Sequence, residues 1–233
     1  MVDSDCGLTP GVTPPVQTAM ICPRYRGCMD VNGLSDRIQV RIDGYLVQAK
    51  LEDALAAIVG AVAWRGKEIQ VVSGRRQRWD MVYEGAVGKV AVEFDGDEHY
   101  RHTLKIKIDR EKDDLARIGG YLVVRIPYWV QLTSETLKHY LGLDADVIQD
   151  FPHGFITTKV FPASYCEMGI ARFKREIDAL PTSVRLAVKT SLCDRSKEHG
   201  LEYVLPDQLA GLLDSRSSGS QAGDVDNGES DLE

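Results

Sequence analysis

The sequence predicts an α/β protein: an αβββαβ core built on a mixed sheet, followed by a helical C-terminal extension. The chain has 233 residues, of which 43% are apolar and 27% charged, as is typical of a globular protein large enough to bury a core. Between about residues 46 and 126, helical periodicity precedes three short β-prone runs, and a further helix and strand follow them. These two observations define the class.

The first helix and the three strands after it are predicted from apolar spacing and turn residues. Leu51, Leu55, Ile58 and Val62 recur at helical spacing, which predicts a helix over about 46–64. The three runs that follow are short and β-prone, and turn residues bound them. The predicted strands cover 68–73, 79–84 and 89–95.

A second helix and a last strand complete the predicted core. Residues 105–118 fit a helix that ends at Gly119 and Gly120, because glycine adopts the left-handed conformation at little cost. The run YLVVRI over 121–126 predicts a buried strand that stops at Pro127. Since the helix must cover the sheet, its apolar side chains and those of the strand are expected to be buried. We expect this of Leu115, Ile118, Leu122 and Val124.

Composition divides the chain into four segments. The first is rich in proline and lacks periodicity, which predicts an irregular arm, and the last is rich in serine, glycine and acids, which predicts a disordered tail. The extension between core and tail is predicted to form helices broken near Pro181 and Pro206. The segments are the arm 1–35, the core 36–142, the extension 143–213 and the acidic tail 214–233.

Charge and composition exclude some classes of protein. No apolar run approaches the roughly 18 residues that span a bilayer, and the polar N-terminus does not resemble a secretory signal. Five cysteines, an odd number, favour a reducing compartment, so we expect a cytoplasmic protein without a membrane partner. The net charge of -7 lies mostly in the tail, so it does not exclude a nucleic-acid partner.

Three carboxylates mark a candidate metal site. Asp80 lies early in one predicted strand, and Glu93 and Asp95 lie two residues apart on the next, so these last two point to the same face. If the strands form a hairpin, Asp80 lies beside Glu93. Converging carboxylates suit Mg²⁺ or Mn²⁺, which activates water for phosphodiester hydrolysis. Solvated turn residues are the alternative.

The motifs around these acids resemble the PD-(D/E)XK nuclease superfamily. The runs WDMVYE, VAVEFDGDEHY and IDREKDDLARIGGYLVVRIP are similar to very-short-patch-repair endonucleases and small restriction-like domains, over about residues 46–130. The resemblance implies a restriction-endonuclease-like core for 36–142. It implies a metal-dependent endonuclease that hydrolyses DNA, with Asp80 and Glu93 as metal ligands helped by Asp95.

The lysine that names the superfamily is replaced by Asp95 in this sequence. Lys105 and Lys107 on the next helix are candidates to supply the missing cation, unless they lie on a solvated helix face. His99 is a candidate acid or base, because an imidazole titrates near neutral pH, unless it is a surface histidine. Asp109 is expected either to be structural or to support the site residues without binding the metal itself.

Two further groups of charged residues are candidates for binding. Glu52 lies at the start of the first helix, where it is either a fourth metal ligand or a partner of the helix dipole. The run GRRQRWD places Arg75, Arg76 and Arg78 before Asp80. These arginines either contact DNA phosphates or form a basic turn.

The expected function is divalent-metal-dependent cleavage of DNA. The sequence leaves the oligomeric state of the enzyme open, with a homodimer as one alternative. The alternative is a catalytically weak or inactive nuclease-fold module that binds nucleic acid or a protein partner. The missing lysine motivates that alternative. A third interpretation is a structural or interaction protein whose acids are surface groups.

Overall fold

A computed structural model describes residues 37–213, apart from positions 73, 87, 152–153 and 156–160. The interpretations made above for the N-terminal arm and for the acidic tail lie outside these residues. Across the described part of the chain, no helix is both long enough and apolar enough to cross a membrane.

Helices and strands alternate through the described chain. The strands are β1 (Gln39–Ile42), β2 (Trp64–Val72), β3 (Arg75–Gly85), β4 (Gly88–Asp95), β5 (Leu122–Pro127) and β6 (Asp146–Gln149). The α-helices are α1 (Gln48–Ala63), α2 (Glu98–Arg101), α3 (Thr103–Ile118), α4 (Ser134–Leu141), α5 (Glu167–Ala179), α6 (Thr182–His199) and α7 (Leu201–Val204). Two 3₁₀ turns cover Pro162–Ser164 and Asp207–Leu212.

The main sheet has four strands in the order β2-β3-β4-β5. The first two pairings are antiparallel and the pairing of β4 with β5 is parallel, so the predicted α/β class with a mixed sheet is confirmed. Strands β1 and β6 form a separate parallel pair. Neither was predicted, because each is only four residues long and their pairing joins distant parts of the chain.

The two faces of the main sheet are covered differently. Side chains alternate along β4, so Val90 and Val92 face α1 while Ala91 and Glu93 face α3. The α1 side holds a large apolar cluster, whereas the apolar cluster beneath α3 contains only five buried residues. The charged candidate residues on β4 therefore lie on the side with the smaller apolar cover.

Several predicted burials are wrong for α3 and β5. Ile118 is 73% exposed and Leu122 is also exposed, while Leu115 is only half-buried and Val124 alone is buried as expected. The reason is that α3 turns a polar side to the sheet. Its buried residues are Ile106, Asp109 and Ala116.

The apolar stripe of α1 ends one turn earlier than predicted. Leu51, Leu55 and Ile58 are buried, but Val62 is exposed. Gly60 adopts a positive φ of 77° inside this segment, which interrupts the helical path. The residues after Gly60 therefore leave the buried face.

The C-terminal extension packs on the core through aromatic side chains. Helix α5 ends before Pro181 and the 3₁₀ turn after α7 begins just past Pro206, so the predicted breaks are confirmed. Phe173 of α5 contacts Trp129, with ring centroids 4.7 Å apart, in a buried cluster that also contains Tyr100. The extension thus completes one of the buried clusters of the protein.

Candidate active site

A bulge in β3 positions Asp80. Gly66 of β2 pairs with Val82, and Glu68 pairs with Trp79, so between these pairs β3 has one residue more than β2. Such an extra residue bends the strand and redirects a side chain. The backbone N–H of Asp80 donates to Glu93 Oε1 at 3.1 Å, which brings the two predicted ligands next to each other.

Glu93 is a buried carboxylate with a defined cationic partner. Its second oxygen, Oε2, accepts a hydrogen bond from Lys112 Nζ at 2.7 Å. Burial raises the pKa of Glu93 above its ordinary value, with a smaller contribution from the charge of Asp80, and Lys112 offsets part of this rise. Glu93 is therefore held by one backbone donor and one ammonium group.

The cation beside Glu93 comes from α3, as anticipated for the missing lysine, but from a different residue. Lys112 Nζ also lies 4.3 Å from the ring centroid of Trp79, a cation–π contact that fixes it over β3. Lys105 and Lys107 make no ion pair with Glu93 among the described residues. Lys107 is exposed, and Lys105 is near enough to Asp109 to help lower the pKa of that carboxyl.

Asp95 belongs to a second, fully buried group of charges. Its side chain has 0% exposure, and its Oδ1 accepts from Arg125 Nη1 at 2.8 Å. Its Oδ2 pairs with Arg172 Nη2. Both oxygens of the carboxylate are thus neutralised by guanidinium groups, whereas the carboxylate of Asp80 has no hydrogen bond or ion pair with any described residue.

His99 links Asp95 to Asp109 on α3. Its Nδ1 lies 2.6 Å from Asp109 Oδ2 and 3.3 Å from Asp95 Oδ1. Burial acts to raise the pKa of Asp109, but the hydrogen bond with His99 and the charge of Arg125 outweigh it, and this pKa is lowered. The expectation that Asp109 is structural or supports the site residues agrees with these contacts, and His99 is mostly buried rather than a surface histidine.

Helix α5 of the extension closes this group. Arg172 Nε donates to Glu176 Oε1 at 2.7 Å, and the Tyr100 hydroxyl donates to Glu176 Oε2 at 2.5 Å. Arg172 also lies 4.6 Å from the Tyr100 ring centroid. The carboxylate of Asp95 is therefore held in part by a residue 77 positions further along the chain.

The Asp95, His99 and Asp109 ligand atoms all lie within 4.8 Å of one another, close enough to hold a metal ion. However, the guanidinium groups of Arg125 and Arg172 already lie against this site, with contacts of 3.8 Å or less to both aspartates. A divalent cation there would face two buried guanidinium charges. The contacts assign these three residues to a buried cluster of ion pairs that joins β4, β5, α3 and α5.

The remaining predicted residues lie away from Glu93. Glu52 is on α1, which packs against the opposite face of the sheet. Arg75 forms an exposed ion pair with Glu111 of α3 at 3.4 Å, while Arg76 and Arg78 are exposed on β3. Arg75 thus lies on the side of the hairpin that faces α3, whereas Arg76 and Arg78 lie on the opposite side.

Comparisons with known proteins identified no relative. No protein-family model, no curated protein and no solved structure matched the chain. The function is therefore argued from the residues of this chain and their contacts.

Sequence reasoning missed Lys112 and Arg172. A signal for Lys112 existed, because Ile106, Asp109, Lys112 and Ala116 recur at helical spacing and define one face of α3. That face was overlooked because it is mostly polar. Arg172 has no comparable signal, since only the packing of α5 against α2 and α3 brings it to Asp95.

Proposed function

We propose that this protein is a divalent-metal-dependent nuclease that hydrolyses phosphodiester bonds in DNA, with Asp80 and Glu93 as the metal ligands. The observation that carries the proposal is the hydrogen bond from the Asp80 backbone N–H to Glu93 Oε1, which places the two residues side by side on β3 and β4, with Lys112 Nζ at 2.7 Å from Glu93 Oε2. A pair of acids and a lysine is a common arrangement for activating water beside a phosphate.

The donor atoms fit Mg²⁺ or Mn²⁺. Carboxylate oxygens are the ligands that these ions prefer, and the Asp80 carboxylate is not engaged by any described cation. When bound, such an ion lowers the pKa of a coordinated water and neutralises charge on the phosphate. In this proposal Asp80 and Glu93 bind the ion and orient it. Asp95 keeps the end of β4 in place through its contacts with the two arginines.

Lys112 takes the role of the missing superfamily lysine in this proposal. Its ammonium offsets part of the rise that burial causes in the pKa of Glu93, which favours the ionised form that a metal ligand requires, and its position over Trp79 restricts its movement. A cation at this distance also stabilises negative charge that develops on a phosphate during hydrolysis. Lys105 and Lys107 have no such contact with Glu93.

The sequence resemblance supports the same proposal at the level of the fold. The order α1-β2-β3-β4-α3-β5, with an antiparallel hairpin followed by a parallel strand, is compatible with the restriction-endonuclease-like core implied by the motifs. The carboxylates lie where β3 and β4 cease to pair, since the register ends at Met81 and Val92. Asp80 is half-buried at this end of the pairing, and Glu93 is buried.

The test is metal-dependent cleavage of supercoiled, linear and single-stranded DNA. The purified protein is expected to cut DNA with Mg²⁺ or Mn²⁺, and Asp80→Asn and Glu93→Gln are each expected to abolish cleavage while the protein remains folded. Asp114→Asn, an exposed acid on α3, is the matched control and should cut normally. The proposal is wrong if the wild-type protein neither cuts DNA nor binds Mn²⁺ in a manner that Asp80→Asn removes.

A second candidate function is a nuclease-fold module that binds nucleic acid without cutting it. The ion pair between Glu93 and Lys112 favours this alternative, because an ammonium group already satisfies a carboxylate oxygen that a metal needs. DNA binding without cleavage in Mg²⁺ or Mn²⁺, and without binding of either ion, would support it.

A further inference from the structure

The hairpin of β2 and β3 extends beyond the rest of the main sheet. The pairing of β3 with β4 ends at Met81, whereas its pairing with β2 continues to Arg75. Between Glu68 and Val72 of β2, and Arg75 and Trp79 of β3, the sheet is therefore a two-stranded ribbon. We call these residues the ribbon.

One face of the ribbon is covered by α3. Gln70 is buried and accepts a hydrogen bond from Trp79 Nε1 at 3.1 Å, and the Trp79 ring contacts Lys112 of α3. Arg75 lies on the same face, where it pairs with Glu111 of α3. Gln70, Trp79 and Arg75 on this face thus have partners within the protein.

Among the described residues, the other face of the ribbon is open. The cross-strand pairs Ile69–Arg78 and Val71–Arg76 point away from α3, because they alternate with Gln70 and Trp79. Ile69 is 52% exposed and Val71 is 63% exposed, and both arginines are exposed. Lys67, two residues before Ile69, is also exposed and follows the same alternation.

We propose that this open face is a DNA-binding surface that enters the major groove of a duplex, a proposal that rests on the proposed function. The face carries three cations, Lys67, Arg76 and Arg78, and none of the five side chains that form it is acidic. Its charge complements the phosphates, and its two aliphatic side chains lie between the cations. A two-stranded antiparallel ribbon fits the width of the B-DNA major groove.

The open face and the candidate metal ligands lie on opposite sides of the sheet. Arg78 precedes Asp80 by two residues on β3, about 7 Å along a strand, but its side chain points away from α3, whereas Glu93 faces α3. In this proposal Arg78 therefore binds a different phosphate from the one at the metal ligands. The arginines of the open face bind the backbone, while Ile69 and Val71 contact base edges such as the thymine methyl group.

The proposal separates Arg75 from the other two arginines, and the experiment uses this difference. Binding of a labelled duplex of about 30 base pairs, three helical turns, is measured by fluorescence anisotropy in EDTA over a range of salt concentrations. Arg76→Gln/Arg78→Gln is compared with Arg75→Gln/Arg110→Gln, which removes the same charge from Arg75 on the α3-covered face and from Arg110, exposed on α3. Thermal melting verifies that both variants are folded.

The Arg76→Gln/Arg78→Gln variant is expected to bind about tenfold or more weakly at low salt, and the slope of log K against log salt should decrease by about 2. The control pair should retain the wild-type slope. Equal losses in the two variants would show only an effect of net charge and would overturn the proposal. A change in oligomeric state without a change in duplex binding would identify the face as an interface between copies, and would also overturn it.

A third variant tests the apolar part of the face. Ile69→Gln/Val71→Gln should weaken duplex binding without changing the salt slope, because no phosphate contact is lost. Unchanged binding by this variant would contradict insertion into the groove. The nuclease proposal and the ribbon proposal can fail independently. If the wild-type protein cuts no DNA but binds the duplex through Arg76 and Arg78, the nuclease proposal is wrong and the ribbon proposal is supported.

Discussion

At the scale of single residues, the main finding is that two neighbouring carboxylates have different surroundings. Glu93 contacts one ammonium group, whereas Asp95, two residues later on the same face, contacts two guanidinium groups. Lys112 is held by one hydrogen bond to Glu93 and by its contact with the Trp79 ring, whereas the two arginines make several hydrogen bonds. Glu93 is therefore held by fewer charged partners than Asp95.

Lys112→Met tests the role of the lysine. Loss of the ammonium leaves Glu93 buried without a cation, so we expect cleavage to decrease by about 100-fold or more, as for loss of a group that stabilises developing charge. The measurement is the cleavage rate at saturating Mg²⁺, with melting as a test of folding. Lys107→Met, on an exposed position of the same helix, is the control and should be unaffected. Equal activity in both variants would contradict the role of Lys112.

Asp109 gives a prediction for the dependence of stability on pH. Its pKa is lowered in the folded protein, so ionised Asp109 contributes stability that is complete above its ordinary value of 3.8. This contribution is lost as the pH falls through the lower, folded value. The difference in unfolding free energy between wild type and Asp109→Asn should therefore be largest near neutral pH and shrink in acid. Urea denaturation at several pH values measures it, and a difference independent of pH would contradict the assignment.

At the scale of elements, α3 is unusual because charge occupies its buried side. Asp109 and Asp113 both contact Arg125 of β5, and Lys112 contacts Glu93 of β4. The helix is thus attached to the sheet by ion pairs as well as by Ile106 and Ala116. Three other large apolar residues of the helix, Leu104, Ile108 and Ile118, are exposed.

This arrangement predicts unequal effects of two similar substitutions in α3. Ile106→Ala removes a fully packed side chain and should cost about 2–5 kcal/mol of unfolding free energy. Ile118→Ala removes an exposed one and should change it by about 0.5 kcal/mol or less. Denaturant unfolding of the two variants measures the difference. A larger cost at Ile118 would mean that a partner or another part of the chain covers that side of α3.

Helix α5 contributes the second guanidinium of the Asp95 cluster. Arg172→Met leaves Asp95 and Glu176 buried with fewer cations, and loss of one partner of a buried ion pair typically costs about 3–5 kcal/mol. Arg175→Met, on the exposed side of the same helix, should be nearly neutral. Thermal and urea denaturation compare the two. Similar stabilities would show that the cluster does not depend on α5.

At the scale of the whole molecule, the extension and the core contribute to the same strand pair and to the same buried aromatic cluster. Strand β6 pairs with β1, and the aromatic cluster joins Tyr100 and Trp129 of the core to Phe173. A Cβ atom at Gly169 would overlap the carbonyl oxygen of Tyr100, so α5 approaches α2 closely at this glycine. The extension is thus required to bury parts of the core.

We therefore expect that a chain ending at Phe151 does not fold cooperatively. It would expose Tyr100 and Trp129 and would leave Asp95 with one guanidinium instead of two. Near-ultraviolet circular dichroism and thermal melting, with the full chain as control, measure this. A sharp melting transition in the shortened chain would show that the core is an independent domain.

The order of the core elements and the meeting of Asp80 with Glu93 were accessible from the sequence. Strand alternation and helical spacing are local properties, so they place side chains on faces without knowledge of distant contacts. The sequence predicted the α/β class with a mixed sheet, the helix breaks at Pro181 and Pro206, and the neighbouring positions of the two carboxylates.

Only the tertiary structure decided which cations these carboxylates contact and which face of α3 is buried. Lys112 lies 19 residues from Glu93 and Arg172 lies 77 residues from Asp95, so both contacts depend on how α3 and α5 pack. The pairing of β1 with β6 has the same origin. Burial of a charge is favourable only where partners from several elements converge, and local sequence spacing does not specify that convergence.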